Sequence, residues 1–212
     1  MSENATAAEI REQIVGYDAR DYRDDFGSQW PPQRREQFLY RLDVRKVLSV
    51  DIRVWPCVFA SKGRSMPSYQ PAMQNLWADA GELRRALSEA ALHETLPPFR
   101  TVVITLVADG AEKHHPAAEQ AAALANPGSL APKWRLLGYD VADAWTLSAL
   151  SNCGFLPDHD DVVRMRQLWA PHLNEFHLFN VLEAATAFRR MSDQRLEFDH
   201  APTFVYGIRL VI

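Results

Sequence analysis

The sequence predicts an α+β domain with helices packed on a mixed or mostly antiparallel sheet, and three observations carry that expectation. Two runs, TVVITLV at 101–107 and TFVYGIRLVI at 203–212, have the β-branched and apolar composition of strands. Other stretches, most clearly 76–92, repeat their apolar residues at helical spacing. The two kinds of segment do not follow a βαβ rhythm, and no internal repeat is evident, which disfavours a doubly wound parallel sheet. The 212 residues are expected to form a single domain, residues 1–212, with 1–30 as a peripheral N-terminal helical segment.

The elements follow in order. Ala7–Tyr22 reads as a helix, with Ile10, Ile14, Val15 and Tyr17 on a narrow apolar face. Asp21–Trp30 is polar and contains glycine, and Pro31–Pro32 stops any helix there. From Gln37 to Phe59 the pattern alternates, with Pro56 placing that strand at an edge or bulge. Ser61–Pro71 is a loop by composition. Leu76–Leu92 predicts a helix with Leu76, Leu83, Ala86, Leu87 and Ala90 inside and Glu82, Arg84, Arg85 and Glu89 outside.

Thr101–Val107 has no charge, as expected of a strand covered on both faces. Pro116 suits a helix start in an alanine-rich stretch, and Asn126–Pro127–Gly128 suits its stop. Trp134–Tyr139 returns to strand. Asp160 or Asp161 can cap a helix with Val162, Met165, Leu168 and Trp169 inward, ended by Pro171. Leu178–Phe188 predicts a further helix, and Thr203–Ile212 a strand paired inside the sheet.

A formal net charge of −4 disfavours a nucleic-acid binder, which needs a basic footprint to displace counterions. Cys57 and Cys153, the two cysteines, lie outside any CxxC or Cys/His ligand spacing and read as free buried thiols. The opening MSENATAAEIREQ lacks an apolar signal core, and no segment approaches the roughly 18 apolar residues of a membrane span. The expected location is the cytoplasm.

Catalytic signatures are missing: there is no GxGxxG, Walker loop or GxSxG elbow. His114 and His115 read as an exposed loop pair rather than a metal site, since a site needs several converging ligands. The densest polar cluster is Asp158–His159–Asp160–Asp161, with His172, Glu175 and His177 downstream. A metal-assisted hydrolase built on Asp158, His159 and Asp160 is one alternative, but carboxylates at a helix start more simply cap its free N–H groups. A small-ligand-binding or regulatory domain, with self-association, is the other alternative. Asp140 and Asp143, in GYDVAD at a strand end, are expected to bond nearby backbone N–H groups. Arg84–Arg85 and Arg189–Arg190 read as solvated helix faces. Neither a metal nor a cofactor is expected.

The strings WRLLGYDVAD, SALSNCGF, WAPHLNEFHLF and HAPTFVYGIRLVI, across Trp134–Ile212, resemble small bacterial immunity proteins encoded beside polymorphic or contact-dependent toxins. That resemblance implies a non-enzymatic cytoplasmic protein whose partner is a cognate protein toxin, with neither nucleic acid nor membrane as partner. A nuclease toxin would present a basic cleft, which acidic clusters could occupy and approach quickly by electrostatic steering. Asp158, Asp160, Asp161 and Glu175 are the candidate partner-binding residues; Asp21–Asp25 is a second acidic stretch.

Overall fold

A computed structural model describes residues 12–21, 76–77, 79–92, 99–115, 134–144, 148–150, 164, 167–195 and 202–212. Its strands are β1 (Glu12–Asp21), β2 (Phe99–Val107), β3 (Arg135–Ala142) and β4 (Phe204–Leu210), and its helices α1 (Ala80–Ala91) and α2 (Leu182–Arg195). The strands form one sheet in the order β1-β2-β4-β3, antiparallel at every pairing. The α+β expectation is met.

The two runs richest in β-branched and apolar residues take the centre. Ile104 lies opposite Ile208, Val102 opposite Leu210 and Leu106 opposite Tyr206. All of Val102–Val107 is buried, as a strand covered on both faces requires. On one face Val102, Ile104, Leu106, Phe204, Tyr206 and Ile208 meet Leu76, Phe176 and Leu178. On the other, Val107, Tyr139, Val141 and Val205 meet Trp169, Phe179 and α2 through Ala185 and Phe188. Trp169 stands edge-on to Phe179 and Phe188, with centroids 5.8 and 5.3 Å away. Burying each such ring contributes on the order of 2–3 kcal/mol.

α1 starts where Asp79 accepts from the N–H groups of Gly81 and Glu82 at 2.8 and 2.9 Å. It buries Leu83, Leu87 and Ala90 and leaves Glu82, Arg84, Arg85 and Glu89 outside, as its spacing predicts. Leu76 and Trp77, expected within that helix, are instead extended. Trp77 exchanges two backbone hydrogen bonds with Tyr17, both 2.8 Å.

Three expectations need correction. Glu12–Asp21 is a strand within the predicted helix Ala7–Tyr22, and it forms a sheet edge rather than a peripheral helical segment. Pairing along β2 from Glu12–Val107 to Asp21–Phe99 outweighs weak helical spacing, and Gly16 would cost a helix about 1 kcal/mol. Leu168, expected inward, is 56 % exposed, while its neighbour Trp169 is buried. A 3-10 turn at Ala170–His172 follows, with Pro171 in its first turn, where a missing N–H costs little. The last helix begins at Leu182, so Leu178 and Phe179 serve the sheet instead. The stretch Gln37–Phe59, both cysteines and the alanine-rich residues after Pro116 lie outside the described residues.

Both edge strands carry an irregularity. The register of β1 shifts between Ile14 and Gly16, and that of β3 between Leu136 and Gly138. A methyl group on Gly16 would come within 2.5 Å of Leu76 Cβ; on Gly138, within 2.7 Å of Leu178 Cβ. Gly138 also has φ +151°, which L side chains rarely adopt.

Candidate functional site

Glu175 is the one proposed partner-binding residue that falls within the described residues; Asp158, Asp160 and Asp161, with His159, lie outside them. It occupies a knuckle that runs along the edge of β3. Tyr139 and Phe179 exchange backbone hydrogen bonds of 3.0 and 2.8 Å, and Leu173 bridges Phe179 from the other side.

Asn174 holds the turn closed. Its side-chain oxygen accepts from the N–H groups of Phe176 and Leu178 at 2.9 and 3.2 Å, and its amide nitrogen donates to the Leu137 carbonyl at 2.7 Å. His177 takes φ 60°, a left-handed conformation uncommon for a residue with a side chain. It closes the turn by donating its N–H to the Asn174 carbonyl at 3.1 Å. From Leu173 to Phe179 only Glu175 is exposed, because Phe176, His177 and Leu178 point into the core. The carboxylate therefore stands on a backbone fixed on both sides. Exposed His172, Asn180 and Val181 flank it along the chain.

Two polar clusters lie buried beneath, one on each face of the sheet. On the helix-bearing face, Arg209 binds Glu12 through two hydrogen bonds of 2.9 and 2.8 Å. Thr105 Oγ1 donates to the same carboxylate at 2.7 Å. Glu12 has only 2 % of its side chain exposed, so the guanidinium is its charge partner in a dry setting. Its hydrogen bonds push the Arg209 pKa further up. Burial, then the Glu12 carboxylate, raise that of neighbouring Tyr139. Gly207 leaves the room, since a Cβ there would collide with Thr105 Oγ1.

On the opposite face, Tyr206 Oη donates to the Asp143 carbonyl at 3.1 Å, and His115 Nε2 lies 2.8 Å from Tyr206 Oη. With the phenol proton committed to Asp143, Nε2–H is the donor to Tyr206. Burial lowers the His115 pKa to about 4. Burial also drives the Tyr206 pKa well above its ordinary value, and the Asp143 and Asp140 charges add to this. Asp140 accepts from the Val141 N–H at 2.8 Å and from Ser148 Oγ at 2.7 Å. The expectation that it serves nearby backbone thus holds, with a serine added.

The expected exposed pair His114–His115 is corrected. His114 is exposed, whereas His115 is 3 % exposed and stacks edge-on against Phe204 at 4.6 Å. The solvated reading of Arg189–Arg190 is corrected for Arg189 alone. Arg189 bonds Asp109 at 2.8 Å and Asp193 at 3.1 Å, while Arg190 is exposed. Asp193 in turn receives both the N–H and the hydroxyl of Thr203, tying α2 to the start of β4.

Among the described residues, no three His, Cys, Asp or Glu side chains converge as metal ligands. Nor is any described helix long and apolar enough to cross a membrane. The buried carboxylates of Glu12 and Asp140 are held by Arg209, Thr105, Ser148 and a backbone N–H, whereas Glu175 is an exposed carboxylate on hydrogen-bonded backbone. No protein-family model, characterised protein or solved structure matches the chain.

Proposed function

We propose that this chain is a cytoplasmic immunity protein, which binds a cognate protein toxin and neutralises it by non-covalent occlusion. The resemblance of Trp134–Ile212 to such proteins supports the reading. The observation that carries it is the knuckle itself, with Glu175 its exposed residue between buried neighbours. A contact mounted on fixed backbone loses little entropy when a partner docks. A carboxylate there accelerates encounter with a basic surface such as a nuclease cleft. Asp158, Asp160 and Asp161 are the further acidic candidates in the sequence.

The test uses the purified chain and, as probe, a secreted toxin whose gene adjoins that of the chain. Glu175→Lys, combined with Asp158→Lys and Asp161→Lys, should slow association by about tenfold at low salt and less at high salt, since steering charges are screened. Unchanged association rates would remove these residues from the interface. Failure of the unaltered chain to bind the toxin or protect cells from it would overturn the immunity reading as a whole.

A further inference from the structure

We infer that the chain is a tandem duplication in which residues 12–107 and 134–210 are two copies of one unit: edge strand, bridging residue, helix, return strand. The copies pair through their return strands, β2 and β4, about a twofold axis at the Ile104–Ile208 pair. The correspondence holds at each step. Gly16-Tyr17-Asp18 with Asp21 recurs as Gly138-Tyr139-Asp140 with Asp143. The register shift falls between Ile14 and Gly16 in one copy and between Leu136 and Gly138 in the other. Beyond it, Gly16 pairs with Ile104 and Gly138 with Ile208, the residues at the axis.

The outer edges are closed identically. Tyr17 exchanges both backbone hydrogen bonds with Trp77, and Tyr139 does so with Phe179. The residue before each bridge, Leu76 or Leu178, presses its Cβ over the glycine of its own copy. This is why both copies hold glycine there. Asp18 Oδ1 accepts from the Ala19 N–H at 2.7 Å, and Asp140 Oδ1 accepts from the Val141 N–H at 2.8 Å; both aspartates are fully buried. Asp18 thus holds in the first copy the place that Asp140 holds in the second.

Each helix starts the same distance past its bridge. The Asp79 carbonyl accepts from Leu83 in α1, and the Val181 carbonyl accepts from Ala185 in α2. Asp79 and Val181 are therefore the same position. The first copy keeps a capping carboxylate there, and the second carries a half-exposed valine, among the poorest capping residues. Chance resemblance between two strand-and-helix units would not reproduce the bulge, the glycine, the bridge, the buried aspartate and the helix start together. The β2–β4 seam is then a former subunit interface, through which a half-length chain would have built this sheet from two molecules.

The test exchanges equivalent residues in the full chain. Val181→Asp should raise the folding equilibrium constant about fivefold in urea unfolding by capping α2 as Asp79 caps α1. Asn180→Asp, one residue out of place, should give clearly less. Asp79→Val should lower the constant by a similar factor, and joining it to Val181→Asp should restore the original value, since distant sites add. Gly16→Ala should speed hydrogen exchange at the Trp77 amide at least tenfold and leave Phe179 protected, with Gly138→Ala doing the reverse. The duplication is overturned if Val181→Asp fails to stabilise, if Asn180→Asp matches it, or if either alanine leaves its own bridging amide protected. Should an alanine variant not fold, the capping exchange decides alone.

Discussion

The Glu12–Arg209 and His115–Tyr206 clusters, one on each face of the sheet, bury polar groups by opposite means. Beneath the helices, Glu12 and Arg209 keep full charges in contact, with Thr105 filling a remaining acceptor site. Across the sheet, His115, Tyr206 and the Asp143 carbonyl form a neutral ladder. An ion pair in a dry site offsets a large desolvation cost by mutual attraction, so it fails when either partner is lost. A neutral ladder has little to lose at neutral pH, but acid converts its histidine into a buried charge.

Removing one charge should break the contrast most severely. Arg209→Met leaves Glu12 buried without a counter-charge and should cost about 3–5 kcal/mol in urea unfolding. Adding Glu12→Gln should recover much of that loss. If the single and double variants were equally unstable, Arg209 would act through packing and not through charge.

Acid should separate the faces next. The His115 pKa is lowered to about 4, against 6.5 in the unfolded chain, so the unfolded state binds the extra proton between those values. Its contribution to stability is complete above pH 6.5, declines as pH falls towards 4 and is lost below that, by about 3 kcal/mol at most. His115→Gln should flatten this slope relative to the unaltered chain. An unchanged slope would mean that other groups carry the acid sensitivity.

The smallest effect should come from Tyr206→Phe, which keeps the ring and removes one hydroxyl between His115 and Asp143. The expected cost is about 1–2 kcal/mol, from two groups left short of a partner. A neutral outcome would show that the ladder is dispensable and that ring packing alone holds this face.

Residue types revealed the sheet's centre better than its margins. β2 and β4 were legible because burial on both faces demands uninterrupted apolar, β-branched residues. β1 was not: the shift at Ile14–Gly16 breaks its alternation, and Ile14, Val15 and Tyr17 then mimic one side of a helix. The repeated GYDxxD is faint because only the closely approached glycine, its tyrosine and the aspartates persist. Packing positions changed freely among apolar residues, as Trp77 against Phe179 and Ile14 against Leu136 show. Polar partners were harder still. Glu12 and Arg209 stand 197 positions apart and His115 and Tyr206 stand 91 apart, so no local pattern joins them. Arg189 and Asp193 are the exception, since four-residue spacing on a helix brings side chains together. Of the proposed partner-binding residues, Glu175 was legible as an acid near a cluster, but its rigid mounting depends on Asn174 reaching back to β3.

The strand order has a consequence for how the chain is made. Among the described strands, β4 comes last in chain order yet lies between β2 and β3. During synthesis, β2 and β3 each have an inner edge with unsatisfied backbone groups until 204–210 emerges to join them. A nascent chain stalled before that point presents two adhesive edges, the feature that recruits foreign strands and seeds aggregation. Productive folding is therefore a race between arrival of the last strand and capture of its place by another molecule.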